Sequence, residues 1–462
     1  MPPILNKCRS QVYAWVAQLR PALRHARSHV WRRALRLTAG GRWSEQMPPS
    51  ARHNLRWFWA DGVFSMASDA IVLAYLPLFV LALGGNRAQI GLMNSLSNLS
   101  AALLLLPGAL AVERWGHRKQ MVLLGGGGVS RAALLLLALI PLAFAGPVAV
   151  YAAIALAVVR NAFGNLSMPA WTSLTADIVP LRWRGRYFSS RNTAMSIAQM
   201  LTAFLAGQLI TYVGDAGGYQ LAMGLAFAIG LLATWSFARM QECPTPGIPQ
   251  ARDRTSRVPL LQDVRAHREF VMLCATAALW NVSLNIAGPF FSVYLVEELK
   301  ASAGIVGTLT VVSGLAALPG QRLFGPLADR WGPRRVQLIT GLLIPLLPLA
   351  WVVIRSPWQA APLNLAGGFL WAGYNLASFN LLLTIIPPEQ QARYSALHQV
   401  VVMAALAGGA ALGGLVAETW GYKAVFALSG AGRLTAALLF ARLVHAKAPS
   451  PTATPSEPPV EA

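Results

Sequence analysis

The sequence predicts an all-α membrane protein of twelve transmembrane helices in two pseudo-symmetric six-helix bundles, and three observations predict it. Hydrophobic residues make up 55% of the chain and charged residues only 12%, at a mean hydropathy of +0.49. A soluble domain carries about 25% charged residues. Runs of about 20 apolar residues, the length that crosses a hydrocarbon core, recur about twelve times. Two charged loop patterns return at nearly constant offsets, so one six-helix unit is written twice.

The spans fall in order at about 57–83, 89–112, 120–144, 147–173, 187–213 and 218–238, then 270–295, 303–327, 336–354, 360–386, 394–417 and 422–443. Breakers punctuate them: Gly84-Gly85, Gly146-Pro147, Gly214-Asp215 and Pro387-Pro388. The glycine run Gly125 to Gly128 lies inside an apolar span and reads as close helix packing, not as a phosphate cradle. The polar, proline-bearing stretch Arg239 to Arg268 divides six helices from six. The expected organisation is a basic cytoplasmic extension over 1–55, a first bundle over 56–239, a cytoplasmic linker over 240–268, a second bundle over 269–443 and a disordered tail over 444–462. The extension lacks the apolar centre of a signal peptide. It reads either as an interfacial helix on the inner leaflet or as a segment upstream of a start at Met47.

The formal net charge is +21, which on a soluble protein suggests nucleic acid. Its placement excludes that here. With both termini cytoplasmic, about 29 Lys and Arg fall on cytoplasmic segments and about 4 (Arg87, Lys300, Arg355, Lys423) on outer loops. The anionic leaflet accounts for such an excess. The other five, Arg131, Arg160, Arg191, Arg322 and Arg433, fall inside spans. Cys8, Cys243 and Cys274 are scattered, so no disulfide framework or metal site is expected. No nucleophile–base constellation or phosphate-binding loop occurs, so neither an enzyme nor a cofactor is expected.

The repeated loop is the informative feature. "AVERWGHRK" (Ala111 to Lys119) returns as "LADRWGPRR" (Leu327 to Arg335), 216 positions on (113 to 329). Each follows an inward-running helix. Gly116 and Gly332 allow the turn, and Arg114, Arg118, Lys119, Arg330, Arg334 and Arg335 meet headgroups. Glu113 and Asp329 sit near helix C-termini, where an acid is unfavourable unless a cation or another helix's N-terminus is close. The acids therefore predict partners across an interface. A second repeat, "PLRWRGRY" and "PPEQQARY", places Arg186 and Arg393 207 positions apart (186 to 393), opening the fifth and eleventh helices as candidate partners.

From about Arg56 to Arg442 the chain resembles the major facilitator superfamily. The family's loop motif is met in the second half by Gly325, Leu327, Asp329, Arg330, Gly332, Arg334 and Arg335. In the first half Glu113 stands for the usual Asp and Ala109 for the first glycine. Arg160 and Gly164 match an intramembrane R-x-x-x-G of the fourth helix, whereas the glycine–proline pattern of drug/proton antiporters is absent from the fifth. The resemblance implies alternating access, with the paired loops locking the cytoplasmic gate while the cavity opens outward.

A charge at mid-bilayer costs about 2.5–3.5 kcal/mol on insertion scales, so it faces protein or water. At a rise of about 1.5 Å per residue, Asp69 and Arg160 both land near mid-depth. Their pairing is expected, either as a proton-coupling switch or as a fixed structural pair. Asp61 and Arg131 form a second candidate pair, less well matched in depth, and Arg131 has Asp69 as an alternative partner. Amides recur at i, i+4: Asn94 and Asn98, Asn161 and Asn165, Asn281 and Asn285. Asn94, Asn98, Asn281, Asn285, Tyr374 and Asn375 are substrate-cavity candidates; interhelical hydrogen bonding is the alternative for each.

The expected function is secondary transport of a small organic solute across the cytoplasmic (inner) membrane, with the balance toward proton-coupled export. Uptake or facilitated diffusion of a polar solute such as a sugar is the alternative within that class. A non-transporting sensor or scaffold is the alternative outside it. The expected partners are a small molecule, the lipid bilayer and, for coupling, protons, with the protein a monomer and no nucleic acid.

Overall fold

The computed structural model describes residues 47–179, 183–241, 267–386 and 391–445. Residues 1–46 of the basic extension, most of the linker and the tail from 446 on lie outside the described residues, as do the side chains of Glu113 and Arg393; residues 49–55, assigned to the extension, belong to the first helix.

Among the described residues every regular element is helical. The first six helices are α1 (Pro49–Ala82), α2 (Arg87–Trp115), α3 (Arg118–Ala143), α4 (Gly146–Ile178), α5 (Arg184–Val213) and α6 (Asp215–Ala238). Then come α7 (Arg268–Glu297), α8 (Ala303–Trp331), α9 in two pieces (Pro333–Leu343 and Leu346–Trp351) and α10 (Ala360–Ile385). The last helical segment, Gln391–Leu443, reverses at Gly421, where φ is 78° and ψ is 178°. Its limbs, 391–420 and 422–443, are α11 and α12. Among the described residues nine segments are long and apolar enough to cross a membrane, the ninth being the reversing one. With α9 and α10 beside them, the pattern is consistent with twelve crossings.

Local chemistry explains the ends. Asn86 caps α2: its Oδ1 accepts from the Gln89 N–H at 2.8 Å, and Gln89 Oε1 accepts from the Asn86 N–H at 2.9 Å. The positive-φ glycines keep the spacings of the repeated loops, Gly116 (φ 64°) matching Gly332 (81°) and Gly214 (76°) matching Gly421 (78°). Pro289 lacks an N–H and divides α7 into Arg268–Ala287 and Phe290–Glu297. The run Gly125 to Gly128 sits in a π-helical stretch, Val122–Val129, packed against α4 and α6. A Cβ on Gly127 would lie 2.7 Å from Thr234 Cγ2, so the glycines serve close approach.

In the first bundle α1 packs on α5 and α6, and α4 packs on α2 and α3. In the second, α7 packs on α11 and α12, and α10 packs on α8 and α9. The bundles meet where α2 crosses α11 and α5 crosses α8. Exposed leucines such as Leu103, Leu106 and Leu142 cover the outside, as a hydrocarbon solvent requires.

The two ends of the molecule differ. One, the basic face, carries residues 114–119 and 330–335. At the opposite face a single buried cluster draws on both bundles: Ile71, Tyr75 and Phe79 with Ile286, Phe290 and Val306. Toward the basic face each cluster stays within one bundle, around Leu55, Phe58 and Tyr187 in the first and around Phe270, Ile386 and Tyr394 in the second. The bundles are therefore joined at the opposite face and parted toward the basic one.

Candidate functional site

The first bundle encloses a charged cavity of about 290 Å³, lined by Asp61, Asp69, Arg131, Gly164, Trp171 and Arg191 among others. Asp69 of α1 accepts a hydrogen bond from Arg160 Nη2 of α4, and Arg131 Nη1 of α3 stands 3.6 Å from the same oxygen. Arg131 is held from behind: Nη1 donates to Ser68 Oγ at 3.0 Å, and Ser68 donates to the Ala226 carbonyl at 2.7 Å. The Asp69 side chain is 49% exposed while Arg160 and Arg131 are 17% and 10% exposed. The carboxylate thus faces the cavity and its cations lie against the wall. The carboxylate is the one negative charge between these two guanidinium groups.

Asp61 does not meet Arg131. Its partner is Arg191 of α5, at 3.8 Å. Arg191 also donates from Nε to the Phe58 carbonyl at 3.1 Å and lies 4.2 Å from the Phe58 ring centroid. Depth explains the exchange: Asp61 and Arg191 both lie near the basic end, whereas Arg131 lies nearer the middle beside Asp69. Sequence spacing gives the depth of Arg191, about two turns into α5, but not its neighbour on α1.

The second bundle holds a cleft of another character. Trp280, Trp371 and Tyr374 form an aromatic group, Trp280 and Tyr374 stacked at 4.6 Å and Trp371 edge-on to Tyr374 at 5.4 Å. They line a cavity of about 220 Å³ with Asn281, Asn375 and His398. Trp371 also lines two neighbouring cavities that reach the other bundle, of about 330 and 380 Å³. None of the three is lined by a carboxylate. Tyr374, Asn281 and Asn375 are therefore brought together, whereas Asn94, Asn98 and Asn285 line none of these cavities. Asn94 and Asn98 donate to carbonyls one turn back on α2, at 3.0 and 2.8 Å. Asn285 donates to the Leu406 carbonyl of α11 at 2.7 Å, an interhelical tie. Asn161 ties α4 to α2 through the Ser97 carbonyl.

At the joined face three residues that no sequence spacing links form a lock between bundles. Arg87 of α2 grips Glu297 of α7 through Nη2 at 2.8 Å and Nε at 3.3 Å, and donates to the Ala417 carbonyl at 3.2 Å. Tyr422 donates to Glu297, and its ring lies 4.3 Å from the Arg87 guanidinium carbon. Deeper in, the Tyr75 hydroxyl donates to the Ala203 carbonyl at 2.7 Å and lies 3.4 Å from that of Ala303, touching both bundles.

At the basic face the expected pairing of Asp329 with an arginine across the interface is not made. Asp329 is exposed and has no ion pair among the described residues. Arg186 lies over the Trp183 ring at 5.1 Å. The parting of the bundles at this face is the reason. The other basic loop residues brace their own bundle. Arg118 pairs with Asp177 at 2.7 Å, and Lys119 donates to the Met240 carbonyl at 2.7 Å. Arg334 donates to the Val444 and Ala441 carbonyls at 2.6 and 2.8 Å, satisfying the end of α12. Arg114, Arg330 and Arg335 are exposed there. Gly325 sits in α8, where an added Cβ would meet open space.

Comparison with known proteins places this geometry. The chain is 24% identical over 409 residues to the multidrug resistance protein MdtG of Proteus mirabilis (strain HI4320), covering 86% of this chain and 95% of that one. It is 23% identical over 382 residues to the multi-drug resistance efflux pump PmrA homolog of Lactococcus lactis subsp. lactis, covering 81% and 90%. Among solved structures it resembles a POT family transporter bound to a thioalcohol-conjugated peptide, at a TM-score of 0.66 and 13% identity over 84% of this chain and 95% of that one. It also resembles a D-xylose–proton symporter, at a TM-score of 0.64 and 15% identity over 84% and 97%. At such identities the structures speak for the fold alone. The family model described as Major Facilitator Superfamily matches residues 62–286 and again 271–462. The chain belongs to the major facilitator superfamily and is a multi-pass membrane transporter, not an enzyme.

Proposed function

We propose that this transporter exports small amphipathic organic compounds in exchange for protons. In this reading it sits in the cytoplasmic membrane of a bacterium as a monomer, with its basic face and both termini inside. The half-exposed Asp69 carboxylate between Arg160 and Arg131 carries the reading. The multidrug resistance names of the relatives support the direction and the breadth of substrate. The absence of a carboxylate from the aromatic cleft speaks against a second coupling site there.

The geometry then divides into steps. With the outer face joined, the cavity communicates with the cytoplasm, and Asp69 releases its proton and pairs with Arg160. Solute enters the cleft around Trp280, Trp371 and Tyr374. The Arg87–Glu297–Tyr422 lock parts as Asp329 and Arg186 are drawn together at the basic face. Open to the outside, Asp69 takes up a proton, its hold on Arg160 weakens and the solute leaves.

The experiment is a proton-flux assay in proteoliposomes carrying a pH-sensitive dye, with a panel of lipophilic cations, sugars and organic acids. Solute-dependent proton flux in the wild type, lost in Asp69→Asn, is expected. Solute movement without proton flux would refute the coupling and leave Asp69–Arg160 as a structural pair.

A further inference from the structure

Three arginines among the described residues are buried: Arg131, Arg191 and Arg433. The first two have a carboxylate within 3.6 and 3.8 Å. Arg433, on α12, is the most deeply buried of the three at 2% exposure and has none. Its one hydrogen bond runs from Nη2 to the Leu284 carbonyl at 3.3 Å, and its Nε has no partner. A guanidinium carries five N–H donors and keeps its charge at any physiological pH. Leaving one buried and uncompensated costs several kcal/mol, so the missing counter-charge demands an explanation.

The side chain lines the cavity of about 330 Å³ between the bundles, with Phe291, Trp351, Asn364 and Trp371. That wall is aromatic and amide-bearing. Leu73 of α1 contributes from the first bundle and is 76% exposed, so the space is open to a solute. The acids of the second bundle that are described, Glu269, Glu297, Glu298, Asp329 and Glu418, all lie at the helix ends. Among the described residues no carboxylate lines this cavity or pairs with this guanidinium.

We infer that Arg433 is an anion-binding residue of the solute pathway, and that it takes a planar organic carboxylate whose aromatic body rests on Trp351 and Trp371. A planar fork recognises a carboxylate bidentately, and an aromatic wall suits an aromatic acid. The inference deepens the transport reading above by naming a chemical class of solute. It also divides labour between the bundles: the first holds the proton site, the second the acidic group of the cargo.

The test is binding of 2-naphthoate and of 2-naphthamide, which differ in charge and hardly in shape, to the purified protein in detergent by tryptophan fluorescence. The wild type binds the carboxylate about tenfold more tightly, equivalent to about 1.4 kcal/mol. Arg433→Gln brings the ratio to within about twofold of one while amide binding persists. Because the ratio is taken within each variant, a partly folded preparation does not mimic the effect. Asn364→Asp, nearly isosteric, places a carboxylate in the same cavity and cuts the ratio likewise, so it decides the matter where Arg433→Gln does not fold. A wild type that binds neither probe or both equally overturns the inference, as does a tenfold preference that survives in both variants. The assay uses no gradient, so it is blind to proton coupling and direction. The proteoliposome assay, conversely, tests coupling at Asp69 with cations and sugars that do not engage Arg433.

Discussion

Replacing Gly91 by alanine should open the joined face, and the structure gives the size of the effect. Gly91 is where α2 of the first bundle crosses α11 of the second. A Cβ there would lie 2.6 Å from Gly414 Cα and 2.7 Å from the Ala410 carbonyl oxygen. Ordinary contact begins at 3.4 Å, so the helices must separate by about 0.8 Å. Both opposing atoms belong to backbone, and no rotamer change relieves the clash. Overpacking of this kind costs about 1–3 kcal/mol. The cost falls only on the state in which α2 and α11 touch. It therefore shifts the balance between joined and parted states of this face by about 5–150-fold. Electron paramagnetic resonance between spin labels at Leu83 and Lys300, one on each bundle at that face, reads the shift as a gain in long distances. An unchanged distance distribution in Gly91→Ala, with unchanged transport, would falsify the assignment of this crossing as the seal of the joined face.

Three further outcomes follow from the same geometry. Glu297→Gln keeps the shape of the lock but removes its charge. With both partners about a third exposed, the loss is about 0.5–1 kcal/mol, read as a smaller shift in the same direction by the same labels. Tyr75→Phe removes the hydroxyl that touches Ala203 and Ala303; it should lower the melting temperature and raise opening of the joined face, at about 1 kcal/mol for a buried hydrogen bond. Asp329→Asn should slow transport several-fold and leave thermal stability of the state described here unchanged, because the carboxylate has no partner in it; a drop in melting temperature would show a contact that the parted bundles do not make.

The sequence displays the fold well, because its signals are local. A membrane span is a count of apolar residues, and a turn into the left-handed region calls for glycine. Gly116, Gly214, Gly332 and Gly421 mark four turns, at the same 216 and 207 spacings that relate the charged loops (116 to 332, 214 to 421). Depth is also local, since rise per residue is fixed, and it set Asp69 opposite Arg160. What lay hidden depends on which helices are neighbours. Arg191 reaches Asp61 because α5 packs on α1, a fact no spacing contains. Arg87, Glu297 and Tyr422 meet from three chain segments, and each alone reads as an ordinary loop residue. Arg433 is visible as a charge inside a span; only the surrounding structure reveals that nothing balances it.

An alternating-access protein needs two states within a few kcal/mol of each other, and the two faces meet that need by different chemistry. At the joined face the bundles touch through glycine and backbone and through a shared apolar cluster, short-range contacts that vanish over a few ångströms, with one partly exposed ion cluster on top. Little is lost at long range when they part. At the basic face a parted state could leave a row of cations without partners, an expensive condition near a low-dielectric core. The structure limits this by turning three of them inward on their own bundles, Arg118 to Asp177, Lys119 to the end of α6 and Arg334 to the end of α12, and leaving Arg114, Arg330 and Arg335 exposed. These ties are made within each bundle and need not break when the face closes. Closing then requires only that Asp329, already exposed and unpaired, find a cation across the gap. The repeated loop thus holds two functions in one stretch. Arg118, Lys119 and Arg334 fasten helix ends within a bundle, and Asp329 is left over for the other bundle. That division explains why a chain so sparing of charge places one acid among so many arginines.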